Sequence, residues 1–355
     1  MTNGERTHLT LYLTGGYLLL IIYASLHPLA GWHDSGGDPL GFLGASWPRY
    51  YTGFDLATNL GAYLPFGFLC AAAWRRRLEP LPAWLLAAVL GSALSLAMEV
   101  LQNYLPNRVP SNLDLACNGA GALVGSWIGA RWGGVLLDQG RLARWRHQTL
   151  MNASGVDMGV LLVAAWMITQ LSPESLLFGS GNLRQMFGLP PAQSFAPADF
   201  VSIENAIAAT GLLAAGLTIT LLLRRHARLL TLALLLVAVL IKTATYSVLM
   251  GPSAALAWIT PGNSVGMAIG LGMWWIASFL AFPLQRALAA LALLIATVMV
   301  NLAPDNPYLL NTLQIWNPGQ YLNFTGLTRL ISSLWPFLAL PWLMIYRSKR
   351  HDSHY

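Results

Sequence analysis

VSIENAIAATGLLAAGLTITLLL at 201–223, RRHAR at 224–228 and LLTLALLLVAVLIKTATYSVLM at 229–250 form one unbroken passage of the chain. Each flank is long enough to cross a hydrocarbon core, which takes about 20 mostly apolar residues. Neither flank alternates apolar and polar residues as a lipid-facing strand must. The basic pentapeptide between them is the bend of a helical hairpin, with its arginines held on one side of a membrane. This reading extends to the whole chain. Comparable stretches lie at 9–27, 55–74, 81–102, 113–137, 155–171, 263–283, 286–303 and 326–346, so about ten transmembrane helices are expected in an all-α, polytopic membrane protein. The first run is longer than the 7–15 apolar residues of a signal peptide, so it is read as a retained span.

Composition agrees. Hydrophobic residues make up 55% of the 355 residues and charged residues 10%, against about 25% charged in soluble domains. Cys70 and Cys117 both sit in apolar runs, which excludes a disulfide framework and a cysteine-based zinc site. With the N-terminus inside and sides alternating through ten spans, only Arg49, Arg108, Arg184 and Arg329 fall outside. Lys242 lies within a span, and the remaining Lys and Arg residues all fall inside. That asymmetry follows the positive-inside rule, places both termini in the cytoplasm and accounts for the net charge of +6 without nucleic acid. The polar, basic stretch near 141–154 divides the chain into a four-helix domain, 1–140, and a six-helix domain, 155–355. The long segments 28–54, 172–200 and 304–325 are outer loops, and the tryptophans near span ends suit interfacial belts.

The first domain carries a polar cluster. DLATNLGA at 55–62 is echoed by DLACNGAGA at 114–122, each opening a span that runs from outside to inside. Asp55 with Asn59, and Asp114 with Asn118, stand four residues apart and share a helix face. Either Asp is explained as a helix N-cap; an Asn one turn deeper in both copies is not. The third span adds Ser92, Ser95, Glu99 and Gln102 as one stripe, with Glu99 about a turn below its outer end. A carboxylate within a span faces a bundle interior or a wet cavity. Arg108, in the tight Pro106-Asn107-Arg108-Val109-Pro110 connection, is the natural counter-charge for Glu99 or Asp114. Two readings stand: a salt-bridged packing core without chemistry, or a binding or catalytic pocket. Gly121, Gly125 and Gly129 let the fourth helix approach a neighbour closely within the chain.

These residues resemble the VanZ-like membrane proteins. The resemblance runs through Asp55, Asn59, Tyr63-Leu64-Pro65-Phe66-Gly67, Glu99-Val100-Leu101-Gln102, Arg108, and Asp114 to Asn118 with Gly121 and Gly125. It covers about the first 135 residues and makes the following helices an addition. The family is named for an accessory protein of glycopeptide-resistance clusters associated with teicoplanin resistance. It implies a role at the outer face of the bacterial cytoplasmic (inner) membrane, in cell-envelope biology, without supplying a mechanism or showing that this chain confers resistance.

The second domain is poorer in polar signals. Glu204 and Asn205 open the sixth span, and Lys242 lies deep in the seventh, within reach of Glu204. That pair is either structural or a site where Lys242 holds an anionic group such as a lipid phosphate. SSLWPFL at 332–338 faintly echoes AYLPFGF at 62–68, too short a likeness for a duplicated domain. No Walker A motif, His-Glu-x-x-His or Gly-x-Ser-x-Gly is present. No metal or cofactor is expected.

Three functions compete. The first is a non-catalytic protein whose outer pocket binds an envelope lipid or lipid-linked precursor through Asp55, Asn59, Tyr63, Glu99, Gln102, Arg108, Asp114 and Asn118. The second is an intramembrane enzyme on such a lipid, with Glu99 as general acid or base assisted by Asp114. The third is a secondary transporter using Glu99 and Lys242. Most of the polar groups lie toward one side, which favours binding over transport. The partners implied are the bilayer and such a lipid, with no nucleic acid.

Overall fold

Each of the ten apolar stretches folds as a helix in the computed structural model, and no strand occurs among the described residues. The structure describes residues 9–347 apart from 28, 35, 49–52, 107, 140, 152, 154, 192–193 and 306–321. Much of the 304–325 loop, together with Arg6, Asn107, Lys349 and Arg350, therefore lies outside the described residues. Among the described residues, seven helices are long and apolar enough to cross a membrane. The three others fall short for visible reasons. The fourth helix is rich in Gly, Ser and Asn, Val156–Thr169 has 14 residues and Pro261–Ala277 has 17. This is a multi-pass membrane protein.

The chain divides into two compact units, Met1–Arg146 and His147–Tyr355. The first contains α1 (Leu9–Leu26), α2 (Gly53–Trp74), α3 (Pro80–Gln102) and α4 (Asn112–Gly133). A π-helical turn follows at Gly134–Gln139, then the short α5 (Arg141–Thr149) across the boundary. The packing of α2 on α4 is dictated by glycine. A Cβ on Gly121, Gly125 or Gly129 would lie 2.2, 2.0 or 2.2 Å from the carbonyl oxygens of Leu60, Leu64 and Phe68. One helix's missing side chains thus seat the other's backbone, turn by turn. From α2, Gly67 returns the contact: a Cβ there would lie 2.3 Å from the Ala122 carbonyl oxygen. Interfaces of this kind replace the hydrophobic drive that lipid removes. Ile21, Tyr63, Phe66, Met98 and Leu105 belong to one core cluster beside them.

The second unit contains α6 (Val156–Thr169), α7 (Leu183–Met186), α8 (Pro197–Leu222), α9 (Ala227–Met250), α10 (Pro261–Ala277), α11 (Phe282–Leu302) and α12 (Leu322–Ile345). It is built around α8, buried along nearly its whole length between α10 and α11. The glycine device recurs. Gly262, Gly266 and Gly270 of α10 would place a Cβ 2.7, 2.6 and 2.8 Å from the carbonyls of Val201, Asn205 and Ala209. Helix α10 thus lies on α8 as α4 lies on α2.

The segment after α6 is not a surface loop at its start: Leu177 and Phe178 are buried, and Phe178 stacks on Trp166 with ring centroids 5.8 Å apart. Nor do the tryptophans form only an interfacial belt. Trp166, Trp258, Trp274, Trp335 and Trp342 are buried. Four of them donate from Nε1: Trp258 to Thr243 Oγ1, Trp274 to Thr220 Oγ1, Trp335 to the Leu162 carbonyl and Trp342 to the Gly155 carbonyl. An indole can enter an apolar core when its one donor finds an acceptor.

Candidate functional site

The C-terminal ends of α1 and α3 and the N-terminal ends of α2 and α4 bring the eight candidate residues into one neighbourhood, in distinct roles. Helix α4 starts at the N-cap Ser111, whose Oγ accepts from the Asp114 amide at 3.3 Å. In the usual capping box the third helical residue returns a carboxylate to the cap's own amide. Here that residue is Asp114, and it does not do so. Glu99 reaches across from α3 instead, its Oε2 accepting from the Ser111 N–H at 2.8 Å. Glu99 is 3% exposed and sits at the positive end of the α4 dipole, which makes a buried carboxylate tolerable there.

This substitution frees Asp114 to face α2, where its Oδ1 accepts from Asn59 Nδ2 at 2.7 Å. The glycine contacts bring that pair together by holding α4 against α2. Asp55, one turn above Asn59 and exposed, lies within electrostatic reach of Asp114. On the other side of α4, Asn118 Nδ2 donates to Ser95 Oγ at 3.0 Å, so the α3 stripe and the α4 Asn meet as the spacing indicates.

Gln102 and Arg108 turn the other way, toward α1. Gln102 Nε2 donates to the Ser25 carbonyl at 3.0 Å. Arg108 Nη2 donates to the carbonyls of Ala24 and His27 at 3.3 and 3.2 Å, meeting orphan acceptors at the α1 C-terminus. Arg108 thus forms no ion pair with Glu99 or Asp114 among the described residues. It remains Glu99's electrostatic neighbour: burial lowers the guanidinium pKa, and the Glu99 charge opposes that shift.

Two polar atoms at the centre of this cluster are left over. Tyr63 Oη and Asn118 Oδ1 are buried, and neither makes a hydrogen bond of full geometry with a described residue, although the Ser95 and Ser25 side chains lie close enough to the Tyr63 hydroxyl to interact with it weakly. The polar neighbours of Tyr63 are Ser95, Glu99 and Ser25. The large majority of buried side-chain polar atoms in native structures are paired, through protein or water. The Tyr63 phenol and the Asn118 amide oxygen, both close to Ser95, are exceptions to that rule. No cluster of His, Cys, Asp and Glu among the described residues has the geometry to hold a metal ion.

In the second unit the expected Lys242–Glu204 pair does not form. Lys242 is 1% exposed, and its Nζ donates to the carbonyls of Ser172 and Ser175, both at 2.7 Å. Burial of Phe178 and its neighbours draws the 172–178 segment inward and over the α9 side chain. Glu204 Oε2 accepts instead from Thr260 Oγ1 at 2.5 Å. Thr260 is the N-cap of α10, accepting in turn from the Asn263 amide at 3.1 Å. In each unit, then, a buried Glu holds the N-cap residue of the helix that carries the glycines. Asn263 Oδ1 is buried and unpaired, as Asn118 Oδ1 is. Asn118-x-x-Gly121-x-x-x-Gly125 and Asn263-x-x-Gly266-x-x-x-Gly270 are the same pattern, a signal that is present in the sequence itself.

The model of the VanZ/LLP1 family matches residues 11–133, which places α1 to α4 within the match and α6 to α12 after it. No curated protein and no solved structure matches the chain.

Proposed function

We propose, with the VanZ-like character of residues 11–133 as the premise, that this region is a receptor for an envelope lipid or lipid-linked precursor. It acts at the outer face of the bacterial inner membrane and does no chemistry of its own. In this reading the chain crosses the membrane ten times with both termini in the cytoplasm. Residues 1–140 bind, 141–154 form a basic inner linker, and 155–355 form a six-helix domain. The single observation that carries the proposal is the pair of unpaired buried atoms, Tyr63 Oη and Asn118 Oδ1. A ligand hydroxyl or amide supplies what each lacks. Arg108 keeps donors for an anionic head group, since a guanidinium has five N–H groups and only those on Nη2 are engaged among the described residues. Asp55, Asn59, Gln102 and Asp114 shape the mouth. The family's association with teicoplanin resistance makes lipid-linked cell-wall precursors the first class to test.

One observation supports a second reading, an intramembrane enzyme. Only Oε2 of Glu99 is hydrogen-bonded among the described residues, which leaves Oε1 for proton transfer, with Asp114 nearby. Transport has less support, because Lys242 is committed to loop carbonyls.

Mass spectrometry of lipids that co-purify with gently extracted protein separates these readings. Tyr63→Phe removes a hydroxyl that makes no hydrogen bond of full geometry inside the chain, so folding is little changed while a specific lipid is lost. Retention of that lipid by both Tyr63→Phe and Arg108→Gln overturns the receptor reading. Turnover of the identified lipid by wild type, abolished in Glu99→Gln, replaces it with the enzyme.

A further inference from the structure

We propose that the second unit carries a phosphate-binding site in a cavity of about 920 Å³ between the ends of α8 and α10 and the starts of α9 and α11. Arg224, His226, Arg228, Arg286 and Arg347 line it, and no Asp or Glu does. Four guanidinium groups around one cavity repel one another unless an anion sits among them. Planar guanidinium forks match phosphate oxygens well.

The backbone adds to the same field. Helices α9 and α11, of 24 and 21 residues, both begin at this cavity. Their N-caps, His226 and Ala281, make no side-chain capping bond. The start of α9 thus presents free amides and a positive dipole end to a space already lined by arginine, the arrangement that favours phosphate; α11 adds its dipole but few amides, since Pro283 has no N–H and Leu284 N donates to the Ala281 carbonyl.

The arginines divide by task. Arg228 donates from Nε to Ser278 Oγ at 3.0 Å, with its guanidinium 3.6 Å from the centre of the Phe279 ring. Arg286 Nη1 donates to the Tyr346 carbonyl at 2.7 Å. These two build the wall. Arg224 and Arg347 are exposed and make no side-chain hydrogen bond or ion pair with a described residue, so they are available to a ligand. The turn that carries Arg224 is fixed in advance. Arg224 N donates to the Thr149 carbonyl at 2.7 Å and Met151 N to the Leu222 carbonyl at 2.9 Å. His226 is held at a φ of 50°, a conformation that non-glycine residues enter only when their surroundings impose it.

The phosphate belongs either to the head group of an anionic phospholipid or to a soluble phosphate. The positive-inside rule puts this end of the unit at the inner leaflet, where anionic head groups are concentrated. The site is independent of the function proposed for α1 to α4.

The test uses the full-length protein. Native mass spectrometry follows its titration with phosphatidylglycerol and, separately, with phosphatidylcholine; calorimetry follows inorganic phosphate. Wild type binds phosphatidylglycerol in preference to phosphatidylcholine, and Arg224→Gln/Arg347→Gln weakens that binding at least tenfold. Arg144→Gln/Arg146→Gln removes the same charge from α5, outside the cavity, and changes it less than twofold. Phosphate binding by wild type with the same variant dependence, and no preference between the lipids, assigns the site to a soluble phosphate. Equal losses in the two double variants reduce the effect to net surface charge and overturn the site, as does the absence of binding to either probe. Should the cavity double variant misfold, the single variants Arg224→Gln and Arg347→Gln decide the matter, each expected to lose severalfold.

Discussion

Glu99 Oε2 accepts the N–H of Ser111 at 2.8 Å, so a carboxylate on α3 completes the cap of α4. The residue that looks most catalytic in the sequence therefore has a structural task as well, and the two must be separated before any loss of function at Glu99 is interpreted. Glu99→Gln can still accept from Ser111 through its amide oxygen, while Glu99→Ala cannot. Thermal unfolding in detergent should show Glu99→Gln close to wild type and Glu99→Ala destabilised by about 1–3 kcal/mol, the cost of a buried donor left unmet. Equal stability of the two variants contradicts the capping role.

The glycine seats predict a graded response. A Cβ at Gly125 would lie 2.0 Å from the Leu64 carbonyl, whereas one at Gly61 meets nothing within 4 Å. Gly125→Ala must push α2 and α4 apart and should cost on the order of 1–3 kcal/mol or more, as overpacking does. Gly61→Ala, on the same pair of helices, should stabilise α2 by roughly 0.5–1 kcal/mol. Unfolding midpoints of the two variants check the sign as well as the size.

Lys242 ties α9 to the segment at Ser172 and Ser175. Lys242→Met keeps much of the side chain's volume but leaves those carbonyls without that donor, at roughly 1–3 kcal/mol each. The segment should then loosen, with faster amide exchange at residues 172–178 and less change in the middle of α8. Unchanged exchange there removes the tie.

The orientation is open to a direct check. Val109 is 85% exposed in the connection between α3 and α4. A Val109→Cys variant, with Cys70 and Cys117 replaced by Ala, should react with an impermeant thiol reagent added to the outside of intact cells. Reaction only after the inner face is opened reverses the assigned topology.

The helices were legible because long apolar runs have few alternatives in a bilayer, and the 201–250 hairpin shows this most plainly. The Asp55/Asn59 and Asp114/Asn118 echo was legible too, since four-residue spacing fixes a helix face. Arg108 and Lys242 were not. Both were assigned acidic partners, Arg108 by its place in the connection between Glu99 and Asp114 and Lys242 by its depth beside Glu204 in the hairpin, yet both meet backbone carbonyls, at the α1 C-terminus and in the segment after α6. Charge pairing can be read from residue types. Unsatisfied carbonyls belong to every residue and appear only once helix ends and loops are placed. The second glycine series was visible in the letters, but without the Asp that accompanies the first it had nothing to make it stand out.

The two glycine series also set which internal movements the helices can make. In each, three successive turns of one helix rest on three carbonyls of another, so a small slide drives backbone into backbone. The next seat lies a full four residues along, roughly 6 Å at 1.5 Å per residue. Helices α2 and α4 therefore behave as one stiff stave, and α8 and α10 as another. Movement within the first unit therefore falls to α1 and α3, which carry Ser25 and Glu99, while the α2–α4 pair stays rigid.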